Sequence, residues 1–138
     1  MNIPYENEFD IVVFKSVLGG IGSGSNKPAQ GSAIREMHKS LKSGGELLFA
    51  ENLTASPFHK FLRAKFVKWG TSWRYVSIDE MNEFLQPFNN FTYSTTGFSG
   101  AFGRNERQRD LLAAADKIFF NRLFPSHWKY IITGVARK

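Results

Sequence analysis

The chain has 138 residues and a mass of 15.7 kDa, one domain's worth at roughly 100–200 residues per domain. Hydrophobic residues make up 42% and charged residues 22%, which argues against disorder, and no apolar run approaches the roughly 18–20 residues of a membrane span. The net charge is +6 and cysteine is absent, which favours anionic partners and excludes disulfides, thiolate metal sites and thiol nucleophiles. The first ten residues carry Glu6, Glu8 and Asp10 and no basic residue, the wrong charge for a signal peptide, so a soluble, cytoplasmic protein is expected.

Phe9 to Phe14 is a nearly continuous apolar run with two valines and an isoleucine, predicting a strand covered on both faces. A Gly/Ser-rich stretch from Gly19 to Ser25 breaks regular structure, and Pro28 prolongs the break. Ile34, Met37 and Leu41 recur at helical spacing, so a helix is expected over Ser32 to Leu41, stopped by Gly44-Gly45. Glu46 to Glu51 reads as a short buried strand. Pro57 suits the first turn of a helix reaching Trp69, with Phe58, Phe61, Leu62, Phe66 and Trp69 as its apolar stripe and Gly70 as its stop. Ser77 and Glu80 form a capping box before Met81, Phe84 and Leu85, and Pro87 closes that helix. Phe91 to Thr95 alternates like an exposed strand, and Gly97 to Gly103 reads as a flexible aromatic loop. Glu106 to Phe124 returns to helical period through Leu111, Leu112, Ala115, Ile118, Phe119 and Leu123, and Tyr130 to Ala136 is the last strand. This alternation argues for an α/β sheet with crossovers.

The first fifty residues carry a more specific pattern. Ile3-Pro4-Tyr5-Glu6 leads into Phe9-Asp10-Ile11-Val12-Val13, then Ser16-Val17-Leu18, then Arg35-Glu36-Met37-His38-Lys39-Ser40-Leu41-Lys42, and finally Gly44-Gly45-Glu46-Leu47-Leu48-Phe49. This order and spacing resembles the second half of a class I S-adenosylmethionine-dependent methyltransferase, of the type 11-like group, over Ile3 to Glu51; beyond Asn52 the resemblance is to topology alone. It implies a partial Rossmann-like sheet. Phe9 would open the fourth of seven strands and Glu46 the fifth, and Phe91–Thr95 and Tyr130–Ala136 would supply the antiparallel pair at one edge. It also implies an absence. The family's glycine-rich cofactor turn and ribose-binding acid belong to strands that would need roughly 70–100 residues at about 30 per βαβ unit, and eight residues precede Phe9. Gly20-Ile21-Gly22-Ser23-Gly24 is a weak substitute, since helix initiation is expected only past Pro28 and Glu51 lies beyond the usual distance of the acid.

Lys15, Ser16, Val17 and Leu18 leave the C-terminal end of a strand, where ligands bind in open α/β sheets, and the resemblance places the S-adenosylmethionine cofactor beside them. Gly20 stands where many relatives have His. Glu51 and Asn52 end the next strand on the same edge; Glu51 is a candidate general base and Asn52 a candidate acceptor-binding amide, and loop or capping roles compete. Trp73-Arg74-Tyr75 sets a guanidinium between two rings, which suits a sugar or phosphate-bearing acceptor or simply seals a helix. His59 is the one histidine kept as a candidate base, with a surface position as its ordinary alternative. No metal-ligand spacing or nucleophile elbow is present.

The resemblance therefore implies methyl transfer, with the basic helix from Pro57 as a lid, and the basic, aromatic character of that lid points to a small, anionic or glycan-like acceptor. The competing expectation is a non-catalytic remnant, because the strand from Phe9 lacks its neighbour and invites either a second copy or a complementary chain. The basic cluster Arg104, Arg107 and Arg109 raises RNA as a third partner, without a recognised motif to support it.

Overall fold

The computed structural model describes residues 2–66, 72–103 and 105–138. The first strand, β1 (Phe9–Lys15), pairs in parallel with β2 (Leu41–Asn52), Val12 opposite Leu47 and Phe14 opposite Phe49. A parallel pair needs a crossover, and α2 (Lys27–Ser40) supplies it after a single turn, α1 (Leu18–Ile21). After β2 come α3 (Pro57–Phe66), α4 (Ile78–Phe84) and β3 (Asn90–Thr96). Then α5 (Glu106–Ala115) runs through a wide π turn at Asp116–Phe120 into α6 (Asn121–Leu123), and β4 (Ile131–Arg137) closes the chain. β4 inserts antiparallel between β2 and β3, giving a four-stranded open sheet in the order β1-β2-β4-β3. The expected alternation of strands and helices is therefore present, the antiparallel pair at one edge included.

One face of this sheet makes the core. Phe14, Leu47, Phe49, Ile132 and Ala136 are buried against Ala33, Ile34 and Met37 of α2 and against Met81 and Leu85 at α4. Local chemistry fixes both helices: the Asn26 side chain accepts from Ala29 N–H ahead of α2, and Ser77 and Glu80 form both halves of the capping box on α4. The opposite face stays open. Ile11 and Val13 are 55% and 67% exposed, with Thr92 and Ser94 exposed on the same face.

Several sequence expectations fail, each for a local reason. The run Phe9–Phe14 is covered on one face rather than two, because β1 is the sheet's outermost strand and helices pack on one side of it. The helix expected over Ser32–Leu41 begins at Lys27, since Pro28 sits in the first turn, where its missing N–H costs nothing. That helix ends at Ser40, whose hydroxyl donates to Met37 O. Gly44-Gly45 instead bulge within β2, where the register jumps between Phe9 and Ile11. The aromatic loop from Gly97 is ordered, not flexible: the Asp116 carboxylate accepts backbone N–H from Phe98, Ser99 and Gly100 and the Ser99 hydroxyl, at 2.8–2.9 Å.

Part of each long apolar stripe is turned outward, while Leu62, Leu112 and Ala115 stay half-buried. Asp116 must face inward to make those bonds, which rotates Leu111, Ile118, Phe119 and Leu123 out to the surface. On α3, Phe58 and Phe61 face outward while His59 and Arg63 turn in. The cause is a set of backbone carbonyls at the ends of the strands and loops: Arg63 donates to Leu53 O and Thr54 O, and His59 bonds Phe98 O. Buried carbonyls need donors more than phenyl rings need shelter. Trp69, Gly70, Arg104 and the side chain of Phe66 lie outside what the structure describes.

Candidate functional site

The residues singled out by sequence fall into three neighbouring clusters at the C-terminal end of β1 and β2. The first is a clamp on the turn that leaves β1. Ser16 adopts a left-handed backbone conformation, φ 51°, and the chain turns there into α1. One Glu51 oxygen accepts the N–H groups of Val17 and Leu18, both at 2.8 Å, and the other accepts Asn52 N–H at 2.8 Å. Asn52 donates its side-chain amide to the Ser16 hydroxyl at 2.9 Å. Glu51 is buried rather than solvated, and burial pushes its carboxyl up, against the pull of the Asn52, Leu18 and Val17 N–H groups. Glu51 and Asn52 thus hold the Lys15–Leu18 turn in one shape, with the Val17 side chain and Lys15 exposed on it.

The second cluster is a cavity of about 650 Å³ beside that turn, lined by Thr54, Lys60, Arg63, Trp73, Arg74 and Tyr75 and rimmed by Gly24 and Ser25. The structure thus brings Trp73, Arg74 and Tyr75 to one concave site, as a ligand pocket requires. The Trp73 and Tyr75 rings lie 6.5 Å apart, and the Arg63 guanidinium sits 4.0 Å over the Tyr75 ring. The forked guanidinium of Arg74 is already engaged: it donates to Gln30 Oε1 at 2.5 Å and pairs with both Glu80 oxygens. Lys60, by contrast, has no ion-pair partner among the described residues.

The glycine stretch serves this cavity by allowing close approach. A Cβ at Gly19 would stand 2.6 Å from the Trp73 ring, and one at Gly22 would stand 2.3 Å from Gln30 Nε2. Buried Gln30 then ties the walls together, donating to Leu18 O and Arg74 O at 2.8 Å each. Contrary to expectation, a helix N-terminus follows the glycines directly, but Asn26 caps it.

The third cluster surrounds His59, which is 1% exposed, not a surface residue. Its Nε2 lies 2.8 Å from Phe98 O and its Nδ1 2.7 Å from the Ser56 hydroxyl. A carbonyl can only accept, so Nε2 carries the hydrogen and Ser56 donates to Nδ1. Phe102 stacks on the ring at 4.9 Å, and burial holds its basicity down, helped by Arg63 and opposed by the Phe98 carbonyl and Asp116. Neither Glu51, Asn52 nor His59 lines the cavity. Sequence reasoning missed Lys60, Arg63 and Gln30. Lys60 and Arg63 were read only as the basic face of a helix, off its apolar stripe, and Gln30 lay in a stretch read as irregular.

No family model and no curated protein matches this sequence. Solved structures do match. The chain superposes on a SAM-dependent methyltransferase from Thermotoga maritima, described as a possible histamine N-methyltransferase, with a TM-score of 0.61 at 15% identity. The match covers 99% of this chain and 60% of that one. A SAM-dependent methyltransferase from Archaeoglobus fulgidus gives a TM-score of 0.62 at 8% identity, covering 96% and 61%.

The fold is that of the SAM-dependent methyltransferases. Phosphoethanolamine N-methyltransferase 2 of Haemonchus contortus, solved with S-adenosyl-L-methionine, matches at a TM-score of 0.56 and 13% identity over 96% of this chain and 34% of its own. The chain spans about 60% of the length of the first two of these structures and about a third of the other. Among the described residues no helix is long and apolar enough to cross a membrane.

Proposed function

We propose that this chain is the acceptor-binding portion of a SAM-dependent methyltransferase acting on a small molecule with an anionic or glycan-like group. The observation that carries the reading is the pairing of a clamped strand-end turn with an aromatic, cationic cavity beside it. S-adenosylmethionine supplies an activated methyl group on a sulfonium. The donor set fits one side of it only. Lys15, Ser16, Val17 and Leu18 offer a fixed backbone with an exposed apolar side chain, but the carboxylate nearest them, Glu51, is engaged by three backbone N–H groups.

Glu51 and Asn52 act as positioning residues for that turn. Trp73 and Tyr75 present ring faces to an acceptor, Arg74 is braced by Glu80 as part of the wall, and Lys60 reaches for an anionic group. His59, neutral and bonded through both ring nitrogens, fixes α3 over the cavity rather than removing a proton. The remaining grip on the cofactor comes from strands paired to the outer edge of β1, whether in a longer polypeptide or a separate chain. A cytoplasmic location agrees with this chemistry.

A second reading has its own support. The exposed Ile11 and Val13 on an edge strand suit self-association or a complementary chain without catalysis. Calorimetry with S-adenosylmethionine separates the two, using the chain alone and the chain joined to the part of the Thermotoga maritima relative that it leaves uncovered. The enzyme reading expects affinity weaker than about millimolar (about −4 kcal/mol) for the chain alone and tighter for the chimera. A folded chimera that binds no cofactor overturns it.

A further inference from the structure

The run α5–α6 remains unexplained by the sheet, the cavity or the buried polar clusters. Leu111, Ile118, Phe119 and Leu123 on it are 74%, 59%, 59% and 71% exposed. A surface helix normally places polar residues at such positions. Here the carboxylate among them, Asp116, is buried on the backbone of residues 98–100, so the outward face is left apolar.

That apolar face is studded with positive charge. Lys117 and Arg122 are exposed and, with Ala114 and Ile118, line a shallow groove of about 440 Å³. Neither makes an ion pair among the described residues. Arg107 precedes them and Lys129 follows, and Asp116 is the only acid between Leu111 and Lys138. The neighbouring α3 repeats the composition, with Phe58 and Phe61 outward beside Lys60 and Lys65. The Phe58 ring meets Phe102 edge-on at 5.5 Å, just ahead of α5.

We propose that the α5–α6 face docks on an anionic lipid surface. Leu111, Ile118, Phe119 and Leu123 enter the boundary between headgroups and acyl chains, and Lys117 and Arg122 pair with lipid phosphates. The charge decides between occupants. A second copy meeting this face across a two-fold axis would bring Lys117 and Arg122 against their own counterparts, whereas an anionic bilayer complements them. The inference is independent of the methyltransferase reading.

Sedimentation with sucrose-loaded vesicles tests it, comparing phosphatidylcholine alone with phosphatidylcholine containing phosphatidylglycerol. The chain is expected to bind the anionic vesicles at least about tenfold more tightly. Leu111→Ser with Leu123→Ser should weaken that binding by about tenfold or more, and Lys117→Glu with Arg122→Glu should erase the preference for anionic lipid. All four positions are exposed, so an unchanged urea midpoint confirms that each variant folds. No vesicle binding by the folded chain, or equal binding to both compositions, overturns the proposal. So does a concentration-dependent dimer that the serine variants dissolve.

Discussion

Replacing Glu51 by Ala isolates the clamp at the end of β1. The substitution strips acceptors from three N–H groups, those of Val17, Leu18 and Asn52, each bonded at 2.8 Å. Leaving a buried N–H unpaired costs roughly 1–3 kcal/mol. The Leu18 bond is fully buried, so its N–H bears the full penalty. Those of Val17 and Asn52 are part-buried, and water recovers some of theirs. The loss is reduced again because the variant no longer buries a carboxylate, so the expected destabilisation at neutral pH is about 2–4 kcal/mol. Glu51→Gln should cost about half as much, because an amide oxygen can still serve Val17 and Leu18 while its NH₂ meets the Asn52 N–H.

The pH dependence has a definite sign. Burial raises the folded-state carboxyl above its usual 4.5, so Glu51's contribution is fully present below that value and shrinks as pH rises through the folded pKa. Urea unfolding of the three proteins gives the free energies, and amide exchange at Val17 and Leu18 reports whether the turn itself has loosened. A Glu51→Ala variant within about 0.5 kcal/mol of the parent, with unchanged exchange there, would refute the clamp.

The cavity predicts that phenyl phosphate shifts the Trp73 indole resonance in an NMR titration. Lys60→Ala should weaken that binding by about tenfold, the worth of one charge-assisted hydrogen bond, while stability stays within about 0.5 kcal/mol. Unchanged affinity would remove Lys60 from the site. His59 is held neutral by burial, so the unfolded chain takes up its proton first. Stability is expected to be full above about pH 6.5 and to fall as pH drops below it, a slope that His59→Gln should flatten. Asp116→Asn replaces one of two oxygens that together accept four bonds, which should cost about 2–5 kcal/mol by urea unfolding. Burial opposes ionisation of Asp116, but the Ser99, Gly100 and Phe98 N–H groups hold it below its usual 3.8. Its contribution is therefore present above that value and lost in stronger acid.

The architecture was largely legible in the sequence, because it rests on signals that act locally. The apolar runs at β1 and β2, the capping box at Ser77 and Glu80, and the alternation at β3 each specify an element without distant help. The faces of α3 and α5 were not legible. Periodicity counts apolar side chains, whereas rotation of these helices is set by buried carbonyls and backbone N–H groups contributed from elsewhere in the chain. Arg63 and His59 answer Leu53, Thr54 and Phe98, and Asp116 answers residues 98–100.

The same limit applied to the site. Trp73, Arg74 and Tyr75 could be picked out as a unit, but Lys60 lines the cavity from one helix and Gln30 braces Arg74 behind its wall from another, and spacing along the chain does not encode that meeting. Glu51 stood out at the strand end as a carboxylate suited to proton transfer; the structure gives it three backbone N–H partners instead.

Hydrogen exchange along β1 tests the central claim most directly, that this strand is built to lie inside a larger sheet. In the chain alone, the β1 amides that do not bond to β2 should exchange at close to the rate of an open strand. In the chimera with the uncovered part of the Thermotoga maritima relative, their protection should rise by more than about tenfold. Slow exchange of those amides in the chain by itself, or a folded chimera that leaves them fast, would contradict the account.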